Sequence, residues 1–190
     1  MDELIKEIES RRARRALSAT PVPREVTERI IRAAIYAPSC ANNQSWRFVV
    51  VDGDVALEKV RDGLTGGNYW ARESPLVVLV CTRADLDCQL SDNRNYALFD
   101  AGLATENLIL QAFKEGLVAH PIAGFRPTEI KTAFEIPEDY TLITLVIIGY
   151  PGEESHLSEK HLEQEHGERV RKPEEEVVSF NRWFKTGFTP

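Results

Sequence analysis

The stretch from about residue 92 to 115 reads as one long helix that is apolar on almost every side. Phe99, Leu103, Ala104, Leu108, Ile109, Leu110, Ala112 and Phe113 wrap around it, and Asp100, Asn107, Gln111 and Lys114 fall on one narrow stripe. A helix this apolar has to be buried on most sides. A chain of 190 residues can enclose one such helix, and a dimer encloses it more easily. Gly116 follows directly, the residue type that closes helices in a left-handed cap.

The strands expected beside it are equally apolar. Leu76–Thr82 and Thr141–Ile148 are hydrophobic on both faces, the pattern of a sheet covered on both sides. Trp46–Val51 is rich in aromatic and β-branched residues and reads as a third strand, closed by an Asp52-Gly53 turn. Helices are expected over 2–13, from Pro23 to Pro38, over 54–62, from Pro127, and after Pro173, where three glutamates suit a helix N-terminus. Residues 152–168, acidic and polar, read as a loop. Trp183 and Phe184 are too apolar for a free tail and are expected to pack on something, a partner chain included. With no internal repeat or composition break, one domain over 1–190 is expected.

The formal charge is −7, which disfavours broad nucleic-acid binding and anionic membrane surfaces. The longest apolar runs fall far short of the roughly 20 residues needed to span a bilayer. Residues 1–20 alternate acids, apolar residues and arginines without the apolar centre of a signal peptide, so a cytoplasmic location is expected. The three cysteines, Cys40, Cys81 and Cys88, form no C-x-x-C and no zinc or iron–sulfur spacing. They read as ordinary thiols in a reducing compartment. His156, His161 and His166 recur every five residues and would scatter around a helix, so no metal site is expected.

Four clusters could carry chemistry. Arg11-Arg12-Ala13-Arg14-Arg15 suits phosphate, because planar guanidiniums bind it bidentately; it equally suits a solvated helix end whose cations offset the dipole. Pro38-Ser39-Cys40-Ala41-Asn42-Asn43-Gln44-Ser45 is an amide-rich loop that could read a polar heterocycle, or a turn satisfying its own backbone. His120-Pro121-Ile122-Ala123-Gly124-Phe125 could bring backbone N–H groups to a flat ligand, or be a plain connection. Arg169-Val170-Arg171-Lys172-Pro173 could hold an anion ahead of a helix, or be a solvated basic segment. Neither G-x-G-x-x-G, G-x-x-x-x-G-K nor G-x-S-x-G occurs, so dinucleotide-fold, P-loop and hydrolase signals are missing.

Taken in order, the four clusters resemble the nitroreductase family of FMN-dependent oxidoreductases, over about residues 5–184. The residues carrying the resemblance are the arginine cluster at 11–15, Pro38, Ser39, Asn42, Gln44, Ser45 and Trp46, the long helix ending near Gly116, Pro121–Phe125, and the basic segment at 169–173. The resemblance implies an α+β fold, a three-layer α/β/α sandwich with a mostly antiparallel central sheet, in an intertwined homodimer. It implies FMN between the chains, with Arg11, Arg169 and Arg171 on the phosphate and Arg12, Ala13 and Arg15 along the same wall. Arg15 matches the position of a cation facing the N1/O2 edge of the flavin. Pro38, Ser39 and Asn42 would come from the other chain. Pro121, Ile122 and Ala123 would back the ring, with the Gly124 N–H near N5.

The chemistry would then run on the flavin, with no protein nucleophile: NAD(P)H as co-substrate, and nitroaromatics, quinones or related electron-poor acceptors reduced in a ping-pong scheme. Reductive dehalogenation or flavin breakdown is one alternative, decided by a lid within 63–73 and 86–95; a non-catalytic flavin-binding dimer is the other, decided by whether NAD(P)H reduces the bound flavin. Three positions depart from the family pattern. Ala13 stands for the usual serine, Ser45 for the usual proline, which should loosen the loop, and Ala123 where some relatives carry an acid.

Overall fold

The computed structural model describes residues 4–184. Its centre is a four-stranded sheet in the order β1-β2-β4-β3, built from β1 (Arg47–Asp52), β2 (Leu76–Thr82), β3 (Val118–Ile122) and β4 (Thr141–Gly149). Every neighbouring pair is antiparallel. β2 is central and buried at all positions, as expected for a strand apolar on both faces. Its residues alternate between two cores, as the two-residue period of a strand requires. Leu76, Val78 and Val80 pack with α2 (Arg24–Ile35) and α4 (Tyr96–Lys114). Val77, Leu79 and Cys81 pack with α3 (Asp54–Gly63) and α5 (Pro127–Ala133). Two helical layers thus enclose the sheet, which is the expected α+β sandwich.

The long helix stands as expected. Ala101, Ala104, Leu108 and Ala112 are fully buried against the sheet and α2. Gly116 has φ +79°, and the Leu117 N–H reaches back 2.9 Å to the Ala112 carbonyl, the bond pattern of a Schellman cap. The polar stripe is not a solvated face. Asp100 is only 1% exposed, and Asn107 donates 3.2 Å to the Ala33 carbonyl of α2. Leu98 and Phe99, on the side turned from the sheet, remain 43% and 55% exposed.

Several expectations change. The first helix, α1, covers only Lys6–Ser10; Asp2 and Glu3 lie outside the described residues. Arg11 leaves helical geometry at φ −57°, ψ 136°. From there the chain runs extended beside the end of β4, with the Ser18 N–H on the Tyr150 carbonyl and the Gly152 N–H on the Ala16 carbonyl, both at 2.9 Å. The connection expected at 120–125 begins as β3. It is an edge strand paired only with β4, which is where a sheet tolerates Pro121.

The segment expected as a loop contains α6 (Glu159–His166), capped by the Ser158 hydroxyl, which accepts the His161 N–H. The helix after Pro173 is the short α7 (Glu174–Val177). Residues Gly66–Glu73 form 3-10 turns that drive Trp70 into the core, so this stretch is anchored and not a free lid. Trp183 stacks edge-on with Phe184 at 5.3 Å and is otherwise open to solvent.

The cysteine expectation is overturned. Cys40 and Cys88 form a disulfide across 48 residues, with Cα atoms 6.0 Å apart. The fold brings the loop after α2 against the loop after β2, a long-range meeting that local spacing does not encode. Cys81 alone stays a thiol, and burial pushes its pKa up to about 11.

Candidate functional site

The extended segment after α1 places the two basic clusters together. Arg11, Arg12 and Ala13 face Gly167, Arg169 and Arg171 across one cleft of about 320 Å³. Backbone carbonyls, not carboxylates, hold the guanidiniums. Arg12 Nη2 donates to the Gly167 carbonyl at 2.6 Å, and Arg169 donates to the carbonyls of Ile8, at 3.0 Å, and of Arg11. Among the described residues, the one ion pair made from the 11–15 cluster is that of Arg14 with Glu165, at 3.7 Å. Burial and then the charges of Arg11, Arg171 and Arg12 push the Arg169 pKa down. Glu165 and Glu168 line the same cleft, but cations outnumber them there, and an excess of guanidiniums in one cleft suits an anion.

Glu165 builds this wall. Its carboxylate is buried and accepts the main-chain N–H of Arg15 at 2.9 Å and of Ala16 at 3.4 Å. His120 holds the other side of the segment: its Nδ1–H donates to the Arg14 carbonyl at 3.0 Å, and its ring packs on Trp70 at 4.7 Å. Burial, followed by the charges of Arg15 and Arg11, lowers the His120 pKa, which favours the neutral imidazole, and the bond to a carbonyl makes Nδ1 the donor. The Arg15 guanidinium sits 5.9 Å from the centroid of the Trp70 ring.

At the end of β3, Ile122 is buried, Pro121 and Ala123 are exposed and Gly124 is half-buried. Gly124 has a packing reason in the fold itself. A Cβ there would collide with the Asn68 amide and lie 2.8 Å from Thr65 Oγ1, and Asn68 Nδ2 donates 2.7 Å to the Gly124 carbonyl.

Pro38, Ser39 and Asn42 do not line the arginine cleft. They lie in the loop after α2, which is fixed from beneath by two buried carboxyls, Asp87 and Asp100. The Cys40 N–H donates to Asp100 Oδ2 at 2.7 Å, and the Cys88 N–H and the Ser45 hydroxyl donate to Asp87, each at 2.8 Å. Burial pushes both carboxyls up. The donors from Cys88, Ser45, Asn43 and Asp100 outweigh this at Asp87 and pull it below its usual value. Asp100 stays raised, with the Asp87 charge beside it adding to burial. The two neighbouring carboxyls are thus pushed in opposite directions, Asp100 toward the protonated form and Asp87 toward the ionised one. Ser45 does not loosen the loop: it is fully buried, and its carbonyl also accepts the Thr82 hydroxyl at 3.0 Å.

Comparison with known proteins identifies this frame. The family model described as the nitroreductase family matches residues 8–64 and 53–150. The chain belongs to the nitroreductase family. A protein of Archaeoglobus fulgidus, provisionally named NADH dehydrogenase/NAD(P)H nitroreductase, is 32% identical over 84% of this chain and 91% of its own length. The FMN reductase [NAD(P)H] of Bacillus subtilis is 28% identical over 82% of this chain and 68% of its own length. A solved oxidoreductase containing FMN superposes with a TM-score of 0.84 at 28% identity, covering 96% of this chain and 93% of the other.

Within this nitroreductase fold, the residues that sequence reasoning missed are Glu165, His120, Asp87 and the Cys40–Cys88 pair. Glu165 sits in a segment whose polarity hides its buried carboxylate. Ser158 at the helix N-cap was the available signal for that segment. Among the described residues the one group with metal-ligand spacing is Cys40, Asp87 and Cys88, and its two sulfurs are bonded to each other. No helix among the described residues is long and apolar enough to cross a membrane.

Proposed function

We propose that this chain is an FMN-dependent NAD(P)H oxidoreductase that reduces nitroaromatics, quinones or related electron-poor acceptors by a ping-pong mechanism. The observation carrying the reading is the cleft in which Arg11, Arg12, Arg169 and Arg171 meet, none of them in an ion pair with a carboxylate among the described residues. That donor set fits a phosphate monoester, which takes several charge-assisted hydrogen bonds at once. Arg11 and Arg171, with Arg169, hold the phosphate; Arg12, Ala13 and Arg15 line the wall beside it. FMN held there would supply the redox chemistry, with NAD(P)H as the two-electron donor and the acceptor reduced in a separate half-reaction.

The chain's own residues bind and tune. Glu165 and His120 fix the main chain of the arginine segment from both sides, so the guanidiniums are positioned before any ligand arrives. Arg15 stabilises negative charge on the ring edge, and a half-buried setting strengthens that effect relative to water. Pro121, Ile122 and Ala123 back the ring, with the Gly124 N–H near N5, while Pro38, Ser39 and Asn42 of a second copy cover it. No protein nucleophile or metal takes part.

A homodimer completes this reading. Leu98 and Phe99 on α4, Ile35 and Tyr36 at the end of α2, and Leu4, Ile5 and Ile8 around α1 are large apolar side chains left exposed in one chain. A second copy would cover them.

The test is the visible spectrum of the purified protein, release and identification of its chromophore, and steady-state oxidation of NADH and NADPH with a panel of nitroaromatic and quinone acceptors. Bound FMN near one per chain with acceptor-dependent turnover is expected. A protein that neither carries nor takes up FMN would overturn the reading. Flavin that dithionite reduces but NAD(P)H does not would refute the enzyme and leave a flavin-binding dimer.

A further inference from the structure

We propose that the Cys40–Cys88 disulfide is a reversible thiol–disulfide exchange site whose substrate is a dithiol reductant, and that its cleavage releases the loop at 39–44. Three features support exchange at this pair. Both cysteines are only half-buried, so an incoming thiol can reach them, whereas Cys81 is 1% exposed. The bond joins two loops and not two core strands, so breaking it leaves the sheet and both cores intact. Asn43 Nδ2 lies 3.6 Å from Cys88 Sγ, a donor able to stabilise that sulfur as it leaves.

The loop held by the pair is strained. Ala41, Asn42 and Gln44 all have positive φ, at 49°, 60° and 50°, in the left-handed region that non-glycine residues adopt only when their surroundings impose it. Beyond the disulfide, this turn is held by hydrogen bonds: the Cys40 N–H to Asp100, the Gln44 N–H to Ser39 Oγ at 3.0 Å, the Asn42 N–H to the Ser39 carbonyl at 3.0 Å, the Asn43 N–H to the Cys40 carbonyl at 2.9 Å, Asn43 Nδ2 to Asp87 Oδ1 at 3.3 Å and Arg47 Nη1 to the Gln44 carbonyl at 3.0 Å. The disulfide is the covalent tie from this turn to the loop after β2, and removing it leaves hydrogen bonds alone against three left-handed residues.

The exchange balances with a dithiol alone. One of its thiolates bonds to Cys40 Sγ, the Cys40–Cys88 bond breaks, and Cys88 leaves as a thiolate that takes a proton from water. The second thiol of the reagent, deprotonated by water, attacks the reagent sulfur of the mixed disulfide. Cys40 is released and protonated, and the reagent departs as its own disulfide. Two electrons pass to the protein and the dithiol is oxidised.

The further consequence, that reduction weakens FMN binding through Ser39 and Asn42, rests on the function proposed above. Two readouts keep the two apart. The full-length protein is treated with dithiothreitol under native conditions, alkylated with N-ethylmaleimide and weighed by mass spectrometry, and amide hydrogen exchange is followed at residues 39–45. Before treatment no cysteine should be alkylated; after it, two should be, and oxidised dithiothreitol should restore the bond. Exchange at Cys40 and Gln44 should rise at least about fivefold, the factor that ~1 kcal/mol of relieved backbone strain converts to. A pair that resists native dithiothreitol, labels fully before treatment, or opens without changing exchange at 39–45 would overturn the proposal. In parallel, FMN titration should show weaker binding by reduced protein and by a Cys40→Ser/Cys88→Ser variant. FMN affinity equal in both redox states, with exchange changed, would overturn only the link to the flavin.

Discussion

Replacing Glu165 with alanine removes the carboxylate on which the arginine wall is hung, and the structure sets the size of the effect. Glu165 accepts two main-chain N–H groups, from Arg15 at 2.9 Å and from Ala16 at 3.4 Å. A hydrogen bond to a charged acceptor contributes roughly 1.5–3 kcal/mol, and an uncharged one about 1 kcal/mol. The shorter bond belongs to the first class; the longer one contributes no more than the second. The Arg14 ion pair adds little, because it is 3.7 Å long and the Arg14 side chain is 42% exposed. Together these give about 2–4 kcal/mol for Glu165→Ala.

For a chain of this size each kcal/mol lowers Tm by roughly 2–4 °C, so a central loss of ~3 kcal/mol corresponds to a drop of about 6–12 °C. Glu165→Gln keeps one acceptor oxygen and should lose about half as much. Glu163→Ala, on the exposed side of the same helix, is the control and should stay within about 0.5 kcal/mol of the parent. Thermal melts followed by circular dichroism read all three. A Glu165→Ala melt within about 1 °C of the parent, well below the range above, would refute the view that this carboxylate fixes the arginine segment.

Arg15→Ala should lower the flavin potential and slow reduction by NAD(P)H, read by equilibrium redox titration and stopped-flow absorbance. Glu115 offers a pH test. Hydrogen bonds from Arg29, both at 2.8 Å, bring its pKa to about 2 against burial. A depressed carboxylate stabilises the fold above its ordinary value, and that contribution is lost as the pH falls toward 2. Because Arg29 is 45% exposed, Glu115→Gln should lose only about 1 kcal/mol at pH 7 and almost nothing near pH 2, in denaturant melts. Beneath the 38–44 loop, the two carboxyls should respond unequally. Asp100→Asn keeps an acceptor oxygen for the Cys40 N–H and loses only the form that burial disfavours, so in the same melts it should cost less at pH 7 than Asp87→Asn, which removes the charged acceptor of the Cys88 N–H, the Ser45 hydroxyl and the Asn43 amide.

The parts of the fold legible in the sequence were those with strong, one-valued patterns. β2 and β4 are apolar on both faces because both faces are covered. The end of α4 is written in Gly116, whose φ of +79° few other residues adopt. β3 was obscured by His120 and Pro121, which an edge strand accepts and a central strand would not. α6 was obscured because its buried side chain is a glutamate, and a charge reads as solvent-facing until its two N–H partners are seen. The arginine clusters were legible as residues but not as a site. They stand some 155 residues apart, as the Arg12–Gly167 bond spans, and only the extended run after α1 brings them together. The disulfide was misread for the same reason: nothing near Cys40 or Cys88 announces a partner 48 residues away.

The central claim is that the arginine cleft holds the FMN phosphate. Comparing the affinities of the apoprotein for FMN and for riboflavin, which lacks only the phosphate, tests it most directly. The account predicts FMN tighter by at least about 100-fold, from two or more charge-assisted contacts of ~1.5 kcal/mol or more each. It also predicts that Arg11→Ala and Arg171→Ala each lower that ratio while leaving riboflavin affinity unchanged. Equal affinities for the two flavins, or a ratio untouched by both substitutions, would contradict it.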